Sequence, residues 1–376
     1  MFRAKTVFVL GAGSSYEVGM PIGSTLLEQI VQLTHLSFEF NRLKSGDYTI
    51  LESLKILMDE GHSVEKLNEH ISAGWQLTAS AQQAISIDNV IDALEDEKIE
   101  LLGKMGIVRA ILKAESDSNY FKTEPGQPLQ LEKFKGTWYD TLTKLIVENV
   151  RKSEIESIFD NLEIINFNYD RCIEHYLSYS ISKYYGTTIE TSRSILSRLK
   201  MHRPYGTVGR LPWQDSDAPS TNFGECSPEH LAKAAQQVRT FTEQIEDGAT
   251  ISAIKRTMIS ADRIVFLGFA FHRQNVDLLS IALPNHTEIL ATAYQISKSD
   301  QSVIERELSS SFEQQPSIPD GRIELSNLTC HQLFLDYWRT LTSEKGEHQP
   351  LYMGGHQPEI PDVSKYFPSR SLQAEK

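Results

Sequence analysis

The sequence predicts an α/β fold with a parallel sheet, and three features agree on it. Four apolar runs, at residues 6–10, 162–167, 263–268 and 288–294, have the composition of strands that are covered on both faces. Segments with helical periodicity separate the runs, as the crossover connections of a parallel sheet require. The first run ends in a glycine turn, which is typical of an α/β protein that binds a phosphate.

The glycine turn that follows the first strand reads Gly11-Ala12-Gly13-Ser14-Ser15. Glycine lacks a Cβ, so it can adopt a positive φ and let backbone N–H groups approach an anion, while the next helix directs its N-terminal dipole at the same charge. The turn predicts a nucleotide phosphate site, with an ordinary strand-to-helix turn as the alternative. A dehydrogenase is disfavoured, because Tyr16 takes the third glycine position and no acidic residue ends a second strand about 20 residues later.

Composition excludes several classes of protein. The chain of 376 residues has a formal net charge of −13 at pH 7 and a pI near 5.4, which disfavours a general nucleic-acid binder. Its three cysteines, Cys172, Cys226 and Cys330, form no CxxC motif, so a four-cysteine zinc module and a disulfide framework are excluded. No apolar run is long enough to span a bilayer. We expect a cytoplasmic protein with no direct nucleic-acid or membrane partner.

The long region between the first and second strands is predicted to be mostly helical. Apolar residues recur with helical spacing at residues 50–58, 87–102 and 138–147, and Ser86 precedes the second of these segments as a helix cap. We interpret this region as an insertion that serves as a substrate lid, in self-association, or only as scaffold.

This pattern predicts that the chain has three parts. A nucleotide-binding domain comprises residues 1–35 and 160–342, residues 36–159 form the helical insertion, and residues 343–376 form a polar tail. The tail repeats His-Gln-Pro, and its His348 and His356 are either solvated or ligands of a metal.

Polar or glycine residues follow each of the later strand ends. Asn168-Tyr169-Asp170 comes after the second strand, a segment from His202 to Gly206 precedes a polar loop, and Gly268 to Asn275 follows the third strong strand. Because ligands of open α/β sheets bind at the carboxyl ends of the strands, these segments predict one crevice.

These segments, together with the first turn and Gly19-Met20-Pro21, resemble in residues and order the sirtuin-like NAD-consuming enzymes. The similarity is greatest to the bacterial sirtuin-like domains that hydrolyse NAD in anti-phage defence. The resemblance implies a Rossmann-like parallel sheet with a large helical insertion and no zinc module. It also implies that NAD is the substrate and that no metal is needed.

The resemblance further implies a role for each matching position. Gly11, Ala12, Gly13 and Ser15 would hold the pyrophosphate of NAD, Gly268 and Asn275 would face the adenosine, and Tyr205 and Gly206 would also contact the dinucleotide. Asn168 would lie beside the nicotinamide ribose, Asp170 would recognise the carboxamide, and His202 would be the general base.

The residue types suit this chemistry, although each has a structural alternative. Cleavage of the nicotinamide–ribose bond builds positive charge on the ribose, as in glycoside hydrolysis. An asparagine can order the attacking water or the ribose, and a histidine can accept a proton near neutral pH. Alternatively, Asn168 and Asp170 cap the helix that follows them, and His202 is a structural residue.

The sequence departs from the family at three places. Family members usually have histidine directly before glycine, whereas here Tyr205 precedes Gly206. Either residues 203–205 are an insertion after the base, or Tyr205 takes its place and His202 reaches in, since a tyrosine with a pKa near 10 is a poor base. Gly23-Ser24 replaces the Phe-Arg pair of deacylating sirtuins, and the zinc cysteines are absent. The last two departures count against protein deacylation.

We therefore expect a cytoplasmic NAD hydrolase that releases nicotinamide and ADP-ribose and depletes NAD in anti-phage defence. By family analogy, it would assemble with itself and with a sensor or a hexameric ATPase. The alternatives are a non-catalytic scaffold or sensor subunit that binds NAD or ADP-ribose, and an enzyme that transfers ADP-ribose to a protein or deacylates one.

Overall fold

A six-stranded parallel sheet lies at the centre of the fold. The computed structural model describes residues 1–58, 64–124, 126–214, 218–240, 243, 248–312 and 323–344. The strands among these residues are β1 (Thr6–Leu10), β2 (Ser37–Glu39), β3 (Arg42–Ser45), β4 (Leu162–Asn166), β5 (Lys200–His202), β6 (Arg263–Leu267), β7 (Glu288–Thr292) and β8 (Ile323–Ser326).

Helices connect and cover these strands. The α-helices are α1 (Ala12–Tyr16), α2 (Gly23–Thr34), α3 (Tyr48–Met58), α4 (Val64–Ala81), α5 (Ile87–Leu94), α6 (Glu97–Asp117), α7 (Trp138–Val147), α8 (Cys172–Tyr185), α9 (Ile189–Leu196), α10 (Pro228–Ala235), α11 (Gly248–Ile259), α12 (Arg273–Leu279), α13 (Lys298–Phe312), α14 (Cys330–Asp336) and α15 (Trp338–Thr342). Short 3₁₀ helices occupy Leu131–Phe134 and Lys152–Ser157.

The order of the strands confirms the predicted fold class. The sheet runs β5-β4-β1-β6-β7-β8, and all neighbouring strands are parallel. Counted along the chain, this is the order 3-2-1-4-5-6 of a Rossmann-like fold. The chain reverses direction across the sheet between β1 and β6, and the carboxyl ends of the strands beside such a reversal form a ligand crevice.

The predicted strands are present, with small differences at their ends. Three of them end one or two residues earlier than expected, at Asn166, Leu267 and Thr292. Gly268 leaves β6 because its φ is +57°. The edge strand β8 was not expected, since it is short and only partly buried and so lacks a continuous apolar run.

The region predicted to be mostly helical contains a hairpin that was not expected. Strands β2 and β3 are antiparallel, with Phe40 and Asn41 at positive φ in the turn. Such two-residue turns usually contain Asn-Gly or Asp-Gly, so the Phe-Asn pair did not indicate a hairpin. The helix expected over residues 87–102 is also broken, because Glu95 has a φ of +48° and the Asp96 carboxylate accepts hydrogen bonds from the first N–H groups of α6. Ser86 caps α5 as expected.

Apolar side chains form three cores in the described part of the chain. On one face of the sheet, α7, α8 and α14 pack against side chains such as Phe8 and Ile164. On the other face, α11, α12 and α13 pack against Val9 and Ile165. Helices α2 to α6 and α10 form the third core beside the sheet.

The region from 36 to 159 contributes to two of these cores. Its helices α3 to α6 share a core with α2 and α10, whereas Phe121 and the residues of α7 pack on the sheet. Met1–Lys345 clusters as one unit, and Gly346–Lys376, which includes His348 and His356, lies outside the described residues. None of the helices in the described ranges has the length and apolar character needed to cross a membrane.

Candidate functional site

Two glycine turns pack on each other at the reversal between β1 and β6. The Gly11 N–H donates to the Leu267 carbonyl oxygen (3.0 Å), and the Gly13 N–H donates to the Gly268 carbonyl oxygen (2.9 Å). A Cβ on Gly11 would lie only 2.6 Å from the Gly268 oxygen. Both N–H groups, which we expect at a pyrophosphate, are thus bonded within the protein. The glycines allow direct packing of the turns, and their contact with NAD stays a prediction.

A cavity of about 1600 Å³ opens beside these turns, and we call it the switch-point cavity. Ala12, Gly13 and Gly268 line it at the turns, Thr292 lines it at the end of β7 and Cys330 after β8, and α2 and α6 form its opposite wall. The cavity therefore lies at the carboxyl ends of the strands, where the sequence predicts a ligand.

Asn168 is buried against the first glycine turn. Its Nδ2 donates to the Gly11 carbonyl oxygen (3.0 Å) and to the Ser14 and Ser15 hydroxyl oxygens (both 3.1 Å). The Ser15 hydroxyl also lies close enough to the Asp170 carboxyl group to lower its pKa. The structure thus brings together Asn168, Asp170 and the turn, which are distant in sequence.

The alternative that Asn168 and Asp170 cap a helix applies to only one of them. An Asp170 carboxylate oxygen accepts from the Cys172 N–H (3.1 Å) at the start of α8, whereas the Asn168 amide bonds the glycine turn. Burial raises the pKa of Asp170, and the Ser15 hydroxyl, the Arg203 guanidinium and the Cys172 N–H act in the opposite direction. Asp170 therefore caps α8 and also has a buried carboxyl group with a raised pKa.

His202 lies at the edge of the sheet, two strands away from β1 and its glycine turn. It ends β5, where it pairs with Ile165, and its Nε2 is 2.9 Å from the Thr257 hydroxyl of α11. Thr257 in turn donates to Glu163 (2.7 Å). Burial lowers the pKa of His202, so the ring is neutral near pH 7. The geometry does not direct this imidazole at the glycine turn, and its role as the base stays a prediction.

Tyr205 and Asn275 contact each other, although β4 and β1 lie between the strands β5 and β6 that precede them. The Tyr205 hydroxyl donates to Asn275 Oδ1 (2.5 Å), and the Tyr205 ring packs against Phe167. Burial raises the pKa of Tyr205, which keeps the phenol protonated and makes it a poor base. Gly206 has a φ of +76°, and a Cβ there would lie 2.6 Å from the Gln237 carbonyl oxygen.

Glu17 is a residue of the site that sequence reasoning missed. Its carboxylate accepts from the Trp138 N–H (3.0 Å) and the His331 N–H (2.9 Å), at the starts of α7 and α14. The Trp138 indole also donates to the Ser14 carbonyl oxygen (2.6 Å). These contacts fix two helices to the glycine turn. Both partners lie more than 100 residues from Glu17, so no local pattern could indicate them.

Arg203 and Asp88 were also missed. The Arg203 guanidinium donates to the Asn168 carbonyl oxygen (2.7 Å) and to Glu174 (2.6 Å), which connects the segment after β5 to the segment after β4.

Asp88 of α5 lies close enough to Tyr169 and Tyr205 for its charge to raise the pKa of both phenols. The helical region thus places a carboxyl group near the tyrosine that precedes Gly206.

Asp88 should make the stability of the protein depend on pH. Burial, with a smaller contribution from Asp92, raises its pKa from 3.8 to about 6. The folded protein therefore binds the Asp88 proton more tightly than the unfolded chain does, and stability falls as the pH rises from about 4 to about 6. We expect Asp88→Asn to remove this fall and to raise the free energy of unfolding at pH 7.5 by about 1–3 kcal/mol.

Urea denaturation of both proteins between pH 4 and pH 8 measures this difference. Asp92→Asn is the control: it removes an exposed carboxylate from the same helix and only a smaller contribution to the Asp88 pKa, so most of the pH dependence should remain. An equal stability difference between Asp88→Asn and the wild type at pH 4.5 and pH 7.5 would contradict the assignment.

The described residues contain no group of three or more His, Cys, Asp or Glu side chains arranged to hold a metal ion. Comparison of the sequence with models of protein families and with curated proteins finds no match.

Proposed function

We propose that the chain is a sirtuin-like NAD hydrolase that releases nicotinamide and ADP-ribose. One observation carries this proposal: the buried Asn168 amide, which does not itself line the switch-point cavity, bonds the glycine turn at the chain reversal of a Rossmann-like sheet, and Ala12 and Gly13 of that turn line the cavity of about 1600 Å³. The matching residues of the family support the same assignment. On this proposal the protein acts in the cytoplasm, depletes NAD in anti-phage defence, and assembles with itself and with a sensor or hexameric ATPase.

In the proposed reaction, nicotinamide leaves with the bonding electrons, water adds to the ribose carbon, and a base accepts the proton of the water. Positive charge develops on the ribose before the water bond is complete. The turn holds Asn168 Nδ2, so the side-chain oxygen is the group that orders the water or a ribose hydroxyl. Asp170 accepts a hydrogen bond from the carboxamide of nicotinamide.

The test is release of nicotinamide from NAD by the purified protein, with and without the product of the neighbouring gene. We expect Asn168→Ala to reduce turnover by about 10²-fold or more, because it removes the group that positions the nucleophile. Asn161→Ala is the matched control, since that amide also donates to two backbone carbonyl groups, of Phe2 and Arg3, at the opposite end of the sheet. Unchanged turnover in folded Asn168→Ala would exclude the mechanism.

Two further variants separate the candidates for the base. His202→Ala should reduce turnover by about 10²–10⁴-fold if the imidazole accepts the proton, whereas Tyr205→Phe should do so if the phenol takes part. Thermal unfolding of each variant shows whether loss of turnover is loss of fold.

The alternative function is a non-catalytic scaffold or sensor that binds NAD or ADP-ribose. The observation in its favour is that the polar groups proposed for catalysis are bonded within the protein, including His202 to Thr257 and Tyr205 to Asn275. Two measurements distinguish the functions. A scaffold binds NAD in calorimetry, and it releases no nicotinamide on prolonged incubation at several protein concentrations.

A further inference from the structure

A second cavity, of about 790 Å³, lies beside the edge strand of the sheet, and we call it the β5 cavity. Helices α8 and α9 and the segment that follows β5 supply most of its lining. None of the residues that line it also lines the switch-point cavity. The β5 cavity is therefore a separate place in the fold at which a ligand can bind.

The described lining of the β5 cavity has three positively and two negatively charged side chains, whereas the chain as a whole is acidic. Three arginines line it: Arg193, Arg203 and Arg210. Arg203 is paired with Glu174, but among the described residues no carboxylate lies within ion-pair distance of Arg193 or Arg210. The exposed Glu190 is the other acidic residue of the described lining. An anion entering here meets two guanidinium groups that form no ion pair with a described carboxylate, although Glu190 lies close enough to Arg193 for the guanidinium to lower its pKa.

Two buried polar atoms at the wall of this cavity have no hydrogen-bond partner. They are Glu174 Oε2 and Arg193 Nε, and they are two of only four such side-chain atoms in the described part of the protein. The Glu174 side chain is 8% exposed, and its other oxygen is bonded to Arg203. Buried donors and acceptors are rarely left unpaired, because water no longer compensates them. A ligand with both an anionic acceptor and a hydroxyl donor would pair both atoms.

The geometry points to a phosphorylated sugar as the occupant, and we propose that the β5 cavity is a binding site for the ribose phosphate part of a nucleotide or sugar phosphate. Arg193 and Arg210 would bind the phosphate, and Glu174 would accept from a ribose hydroxyl. The Trp213 ring, which the Arg193 guanidinium covers at 5.9 Å, offers an apolar surface for the sugar or an attached base. His202 and Gly206, to which the sirtuin resemblance gives roles toward NAD, also line the β5 cavity. Binding here is therefore tested with ribose 5-phosphate, which carries no nicotinamide to hydrolyse.

The test is titration calorimetry of the full chain with ribose 5-phosphate, AMP and inorganic phosphate. We expect ribose 5-phosphate to bind at least tenfold more tightly than inorganic phosphate, because only the sugar reaches Glu174. Tighter binding of AMP than of ribose 5-phosphate would assign the nucleotide as the source, and equal binding would assign the sugar phosphate.

Variants locate the binding on the protein. Arg210→Gln and Arg193→Gln should each weaken binding of ribose 5-phosphate about tenfold or more, whereas Arg198→Gln should change it less than twofold. Arg198 lies just after α9 but outside the lining, and it pairs with Glu156 at the surface. Because the Arg210 side chain is exposed, its variant should fold like the wild type. Equal affinities for the three variants, or equal affinities for inorganic phosphate and ribose 5-phosphate, would overturn the proposal.

Discussion

Gly268→Ala is expected to lower the free energy of unfolding by about 3–5 kcal/mol and, on the proposed function, to abolish NAD binding. The new Cβ would lie 2.1 Å from the Ser14 amide nitrogen and 2.2 Å from the Gly13 carbonyl carbon, and these backbone atoms cannot move without separating the two turns. The residue also has a φ of +57°, which alanine adopts at a cost. Urea denaturation and NAD binding by calorimetry measure the two effects.

Gly186→Ala is the matched control for this variant. Gly186 ends α8 with a φ of +58°, but a Cβ there would have no neighbour within 4 Å among the atoms of the described chain. Gly186→Ala should therefore lower the free energy of unfolding by about 1–2 kcal/mol, through the backbone conformation alone. Any further loss of stability in Gly268→Ala is due to the packed turns. Equal costs for the two variants would show that the turns need not pack this closely.

The sequence predicts the sheet well because buried parallel strands carry their own signal. The runs that became β1, β4, β6 and β7 are continuous and apolar, so their type and approximate ends can be read locally. The hairpin of β2 and β3 was missed because a Phe-Asn turn lacks the glycine that usually accompanies positive φ. The exposed edges of a sheet thus escape prediction more readily than its buried strands.

Only part of the candidate site is predictable, because side-chain direction depends on long-range contacts. Asn168 was expected near the glycine turn, and the parallel pairing of β1 with β4 brings it there. His202 was expected beside it, yet its register opposite Ile165 and its bond to Thr257 hold the ring against α11. Glu17 could not be recognised, since both of its partners come from distant helices.

Glu115→Ala is expected to lower the free energy of unfolding by about 3–5 kcal/mol. Glu115 of α6 and Arg171 are 0% and 1% exposed, and a carboxylate oxygen lies 2.6 Å from Arg171 Nη2. The carboxylate also accepts from the Arg171 and Gly224 backbone N–H groups. Removing it leaves a buried guanidinium without a counter-charge, and this guanidinium still has only the carbonyl oxygens of residues such as Thr221 and Asn222 as partners.

The double variant Glu115→Leu/Arg171→Met tests whether burial of the charge is the cause. It should be more stable than Glu115→Ala, because an apolar pair leaves no unpaired ion, whereas independent side-chain contributions would make it less stable. Arg198→Ala, which breaks an exposed pair with Glu156, should lower the free energy of unfolding by less than about 1 kcal/mol.

The ion pair of Glu115 and Arg171 also bears on the candidate site. Arg171 directly follows Asp170 and is bonded to α6, so the ion pair connects the helical core with the segment that holds Asn168. On the proposed function, we therefore expect Glu115→Ala to weaken NAD binding as well. Unchanged NAD binding with reduced stability would show that the pair stabilises the fold without positioning the site.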